Sequence, residues 1–365
     1  MDYRKFKYIL CWLLCISIKA LAVTPQLPLS NPSSHEKFRI LSIDGGGVRG
    51  VIPARILQAI EERTGKPISE LFDLVIGTST GGLVTLGLVV PDDDEQGKPK
   101  YKAAKLVEIY EQKSSEIFKY SKLRNIKTGM GLWGPKYDRK HLDDILKDFF
   151  GDAKLSQTVK PAVVISFSLD VGQPAMWSTH HVRDGKKHDC YLHDVAGVTS
   201  AAPTYFAPKV FKNLHEDHED IVHEIDGGVW ANNPGLTAIR VLSFMEEEDR
   251  PDNKDIIVVS IGTGTFTSDK EHLLQQAHKL NKAGIWGWMI KADPNLIEMM
   301  MAANSDWSDN MVSLLYPNSH RVQIEIPQNL ISMDNPKNVE KLRQLAEKYI
   351  ATDSFKELCN KLVQP

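Results

Sequence analysis

Short apolar runs recur along this chain from Phe38 onward, separated by segments of helical length. "FRILSI" (38–43) is followed by "VIPARILQAIEERTG" (51–65), "LFDLVIG" (71–77) and "TGGLVTLGLVV" (80–90). Strand-length runs alternating with helical segments predict parallel strands joined by crossover helices, hence an α/β fold. Further strands are predicted in "PAVVISFSLD" (161–170), "IVHEID" (221–226) and "DIIVVSIGTG" (255–264). Apolar positions at helical spacing mark "KAAKLVEIYEQKSSEIF" (102–118), "RKHLDDILKDFFG" (139–151) and "NVEKLRQLAEKYI" (338–350). The polar stretches 91–100 and 213–220 read as surface loops, and there is no internal repeat. The simplest organisation is one α/β domain with a mostly parallel sheet, starting near Phe38 and carrying a helical elaboration (266–365) after Thr265.

The first 22 residues follow a different pattern. Arg4, Lys5 and Lys7 precede the apolar run "YILCWLLCISI", and Ala20-Leu21-Ala22 supplies small residues for cleavage. This predicts a signal peptide over 1–22 and export of the mature chain. The run of about 11 residues is short for a membrane anchor, which needs roughly 20. Cys15 invites a lipoprotein reading, but Leu14 stands where a small residue is required. Residues 23–37, rich in Pro and Ser, read as a linker. Cys190 and Cys359 remain, too few for a disulfide scaffold, and their spacing does not decide whether they pair.

Composition is that of a globular protein: 365 residues, 42% hydrophobic and 25% charged. The formal net charge of -3 gives none of the basic character that nucleic-acid binding leaves, so no nucleic-acid partner is expected.

Two glycine motifs carry the chemistry. In "SIDGGGVRG", Gly45, Gly47 and Gly50 have the G-x-G-x-x-G spacing of a dinucleotide loop. Two details oppose a nucleotide: Asp44 would meet the pyrophosphate, and the second strand ends in Gly77-Thr78-Ser79 rather than in a ribose-binding acid. Exposed N–H groups of Gly45, Gly46 and Gly47 suit a developing oxyanion equally well; a tight turn with no ligand is the plain alternative. In "GTSTG", Gly77, Ser79 and Gly81 form G-x-S-x-G between a strand and a helix. A sharp turn there presents the serine hydroxyl at a helix N-terminus, and residues two before and two after it must be small for the backbones to pass.

A nucleophilic serine needs a base. Among twelve histidines, including His180, His181, His193 and His223, none stands in a context that marks it as catalytic. In "HEIDGGVWANNPG", Asp226 closes a strand before Gly227-Gly228, and its carboxylate is expected at the same end of the sheet as Ser79. It is either a base acting without an imidazole or an ordinary turn aspartate.

Together, "DGGGVRG", "GTSTG" and "DGG", with "SAAPTYFAP", "ANNP" and "SIGTG" between or after them, resemble the patatin-like phospholipase family over roughly Phe38 to Thr265. The resemblance implies a three-layer α/β/α fold and a lipid acyl hydrolase acting on phospholipids or lysophospholipids at a membrane or micelle surface, with no cofactor or metal. Carried over by position, Ser79 is the nucleophile and Asp226 the base, with an oxyanion hole from the glycine loop, chiefly Gly46 and Gly47, and the N–H of Thr80. Arg49 takes the position of a basic residue that either holds the loop or meets a lipid phosphate.

In 284–304, Trp286, Trp288, Met289 and Met299-Met300-Met301 suit a lid or a membrane contact, or simply core. His215, His218 and His223 match no zinc spacing and read as a solvated loop. The competing functions are a storage or interaction protein that keeps the fold, opposed by the intact motifs, and a dinucleotide-dependent oxidoreductase.

Overall fold

A computed structural model describes residues 37–364 apart from 132, 186, 215–220, 246, 248, 249, 267–269, 285, 286, 289–291, 293 and 294. The expected signal peptide and nearly all of the linker lie outside these residues, as do His215, His218, Trp286 and Met289.

The elements used below are β1 (Phe38–Ile43), α1 (Val51–Thr64), β2 (Leu74–Thr78), α2 (Thr80–Val89), α3 (Ala103–Ile117), α4 (Arg139–Phe150), β3 (Ala162–Ser168), β4 (Gln173–Ser178), α5 (Leu192–Thr199), β5 (Lys209–Lys212), β6 (Ile221–Asp226), β7 (Ile256–Ile261), α6 (Leu296–Leu315), β8 (Asn318–Val322), α7 (Val339–Ile350) and α8 (Asp353–Val363). Among the described residues one sheet runs in the order β5-β6-β3-β2-β1-β7-β8, with β4 also paired to β3. The segment β3-β2-β1-β7-β8 is parallel, while β4, β5 and β6 are antiparallel to their neighbours.

Strands β1, β2 and β7 are buried at every position, which is why they read as continuous apolar runs rather than as alternations. Their side chains still alternate between two cores. Leu41, Ile43, Val75 and Val259 face α1, α3, α7 and α8, whereas Ile40, Leu74, Ile76 and Val258 face the helix Thr237–Leu242 and the end of α6. Helices α4 and α5 pack with Val164 of β3 and Leu86 of α2 in a third cluster. Helix α2 has no polar face because it lies buried over the middle of the sheet. Helices on both faces of the sheet make the expected three-layer α/β/α arrangement. Cys190 and Cys359 are both buried and unpaired.

The residues after Thr265 include a strand that the hydrophobic pattern did not reveal. The segment "NSHRV" is polar because β8 sits at the sheet edge and is half-buried over most of its length. No helix among the described residues is long and apolar enough to cross a membrane.

Candidate active site

The turn after β2 has the strain that its sequence implies. Ser79 adopts φ 55° and ψ −127°, a region that side-chain-bearing residues rarely occupy. Two close approaches enforce it. A Cβ on Gly77 would overlap the Gly81 backbone, and one on Gly81 would overlap the carbonyl of Ile43 in β1. Only glycines let β1, β2 and α2 converge at this point.

The expectation that Ser79 and Asp226 emerge at one end of the sheet needs correction. Strand β2 runs parallel to β3, and β6 runs antiparallel to it. Strand β4 occupies one edge of β3 along Val163–Ser168, so β2 and β6 share the other edge, one after the other. Thr78 pairs with Ile165 and Asp226 pairs with Ser166, the next residue of β3. The two strands therefore meet head to head, and the residues at their C-terminal tips face each other. The Ser79 hydroxyl therefore comes close enough to the Asp226 carboxyl to favour its charged form.

Thr199, at the end of α5, closes the gap between the strand tips. Its hydroxyl donates to the Ile165 carbonyl at 2.7 Å and accepts the Ser79 N–H at 2.7 Å. No local motif marks this threonine in the sequence. Asp226 is 2% exposed, and its Oδ1 accepts the Gly228 N–H at 2.7 Å. Gly227 fits against Ile165 of β3, and it starts the tight turn that brings the Gly228 N–H back to the carboxyl. Burial raises the Asp226 pKa to about 7, against the hydrogen bonds from Ser79 and Gly228 that lower it. No histidine lines the surrounding cavity among the described residues.

The glycine loop leaves β1 and enters α1 through a tight turn at Gly47–Gly50, with Gly47 at φ 59°. Gly45 departs from its expected role: its N–H is already donated to the Asn232 carbonyl at 3.0 Å, so it has none left for an oxyanion. Among the described residues, no hydrogen bond engages the N–H of Gly46, Gly47 or Thr80. Arg49 is buried, and its Nε donates to the Gly46 carbonyl at 3.3 Å, which braces the loop from behind. Burial lowers its pKa, opposed by the nearby charge of Glu298. Gly50 packs closely against the Thr80 and Tyr110 hydroxyls, which hydrogen-bond to each other.

Asp44 does not face the site. Arg321 of β8 grips its carboxylate with both terminal nitrogens, at 2.8 and 2.6 Å, and Ser305 of α6 adds a hydroxyl donor. A partner 277 residues away is invisible to any local reading. The bidentate, buried geometry makes it a strut between the glycine loop and the C-terminal part of the chain. Arg321→Met leaves the Asp44 carboxylate buried and unpaired, and is expected to cost about 3–5 kcal/mol in urea unfolding. A loss below about 1 kcal/mol would show that the strut is dispensable.

Ser79, Thr80, Asp226 and Gly47 open onto a cavity of about 260 Å³. Its walls come mainly from α2, α3 and α4 and are almost wholly apolar, with Leu83, Ile109, Leu146 and Phe149 among them. Met300 and Met301 of α6 also line it, Met301 buried and Met300 more than half exposed. The methionine run thus reaches the cavity.

A strained serine at a strand-helix turn, beside a buried carboxyl and lining the same apolar cavity, has the arrangement of a hydrolase for hydrophobic esters. Comparison with known proteins agrees with that class. The patatin-like phospholipase family model matches residues 41–239. Patatin-like protein 2 of Arabidopsis thaliana is 34% identical over 319 residues, covering 81% of this chain and 76% of that protein. Patatin-like protein 2 of Oryza sativa subsp. japonica is 33% identical, covering 79% and 75%, and patatin-12 of Solanum tuberosum is 30% identical, covering 79% and 75%. The chain belongs to the patatin-like phospholipase family, and its class of activity is lipid acyl hydrolysis.

Proposed function

We propose that the protein releases fatty acids from phospholipids or lysophospholipids by a Ser79–Asp226 dyad. The observation that carries this reading is the Ser79 turn meeting the buried Asp226 carboxyl at abutting strand tips, both lining one apolar cavity. Ser79 Oγ attacks the ester carbonyl carbon while Asp226 takes the hydroxyl proton. The N–H groups of Gly46, Gly47 and Thr80 receive the oxyanion, each worth on the order of 3 kcal/mol in such sites. Asp226 passes the proton to the departing alcohol, leaving an acyl ester on Ser79. Water then attacks the acyl carbon and gives a proton to Asp226, and that proton returns to Ser79 Oγ as the fatty acid leaves.

The acyl chain lies in the apolar cavity, and the polar head stays outside. Narrowing the cavity with Ile109→Trp is expected to leave short-chain ester hydrolysis intact and to lower kcat/KM for long chains by roughly ten- to a hundredfold. A p-nitrophenyl ester series checks this, and an equal loss at every length would place the chain elsewhere.

Export through residues 1–22 belongs to the same reading, with the lipid met at a membrane or micelle surface. Release of fatty acid from phosphatidylcholine, lysophosphatidylcholine and triacylglycerol by the chain from Val23 onward tests the substrate class. Hydrolysis of triacylglycerol alone would overturn the phospholipid assignment.

A further inference from the structure

We propose that residues 119–131 and Trp133 form a docking surface for an anionic phospholipid bilayer; this rests on the lipid hydrolase reading and names the surface that delivers substrate to that site. The segment carries four large apolar side chains in water: Tyr120 is 66% exposed, Leu123 79%, Ile126 78% and Trp133 79%. Leu123 and Ile126, three residues apart, lie on one side of the short helix Lys122–Thr128, and Tyr120 stands just before it. The Trp133 N–H donates to the Thr128 carbonyl at 2.9 Å, and its ring lies against Gly129 at the end of that helix. Apolar exposure on this scale marks an interaction site.

Charge narrows the partner. From Ile117 to Tyr137 there are five basic residues, Lys119, Lys122, Arg124, Lys127 and Lys136, and no acidic one, in a chain of net charge -3. Arg124 is held by Asp138 and Lys136 by Asp334. Lys119, Lys122 and Lys127 are exposed and make no ion pair among the described residues. Lysines beside exposed Leu, Ile, Tyr and Trp are the composition of a surface that lies in an anionic membrane interface.

Position supports the same assignment. The segment starts directly after Phe118, a wall of the cavity. It returns by hydrogen bonds from the Lys136 and Tyr137 N–H groups to the carbonyls of Thr204 and Tyr205, the latter also a wall. Both roots of the segment therefore stand on the acyl cavity.

Vesicle co-sedimentation of the Ser79→Ala chain, which cannot consume the lipid, tests the proposal. Tighter binding is expected to equimolar phosphatidylcholine/phosphatidylserine vesicles than to phosphatidylcholine alone. Replacing Lys119, Lys122 and Lys127 by Gln removes about 1 kcal/mol each, so binding to the mixed vesicles should weaken roughly a hundredfold. Changing Leu123, Ile126 and Trp133 to Ser should weaken binding to both vesicle types. With Ser79 restored, both variants should keep kcat/KM on a soluble short-chain ester, which also shows that they fold. Unchanged vesicle binding in both variants would overturn the proposal. A variant that turns a dimer into a monomer without altering vesicle binding would overturn it too, by assigning the patch to a second copy. A parent chain inactive on the soluble ester would instead strike the hydrolase reading, and the vesicle result would stand apart from it.

Discussion

Ser79→Ala is expected to lower kcat/KM for ester hydrolysis by at least about ten-thousandfold while the protein stays folded. On the proposed mechanism the substitution removes the oxygen that forms the acyl intermediate, and removing the nucleophile of an interdependent catalytic unit costs at least that much elsewhere. The backbone strain at position 79 is set by the close approach of Gly77 and Gly81, so alanine inherits it. Stability to urea should therefore change by less than about 1 kcal/mol, which separates lost chemistry from lost fold. Residual activity within about tenfold of the parent would mean that another group attacks the ester.

Asp226→Asn is expected to be nearly inactive and, at alkaline pH, more stable than the parent. The loss of activity comes from removing the proton acceptor, and the stability effect from the burial that raises the Asp226 pKa to about 7. The base must be ionised to take the serine proton, so kcat/KM of the parent should rise with unit slope through about pH 7 and level off above it. Asparagine cannot accept that proton, and a loss on the order of a thousandfold or more follows.

Stability runs the other way. Between the ordinary aspartate value of 3.8 and about 7, the folded chain keeps a proton that the unfolded chain has lost, so folding weakens as pH rises through that window. Above pH 7 the accumulated penalty is on the order of 4 kcal/mol, and Asp226→Asn escapes it. The melting temperature of the variant should exceed that of the parent at pH 8, and the gap should largely close by pH 4. A gap independent of pH would mean that the carboxyl is not held at a raised pKa.

Much of this fold is readable in the hydrophobic pattern because its central strands are buried on both faces. "FRILSI" and "IVHEID" match β1 and β6 end to end, and the predicted helices at 102–118, 139–151 and 338–350 match within about a residue. The elements that escape the pattern, such as β8, β5 and the exposed start of β4, sit at edges where burial imposes no apolar run. In the site, the serine turn was readable because its spacing has a local steric cause, and the glycine loop because it must leave N–H groups open. Long-range pairing was not. Nothing near Asp44 announces Arg321, nothing near Ser79 announces Thr199, and the Gly45 N–H is lost to Asn232 through a contact across the fold. The meeting of Ser79 and Asp226 depends on two strands abutting along one edge of β3, a property of topology that neither motif carries.

The pairing of Ser79 with Asp226 is tested most directly by a fluorophosphonate probe followed by peptide mass mapping across pH. One adduct per chain on Ser79 is expected, with a labelling rate that rises through about pH 7 in the parent and is nearly abolished in Asp226→Asn. An adduct on another residue, or full labelling of Ser79 in Asp226→Asn with no pH dependence, would contradict the dyad.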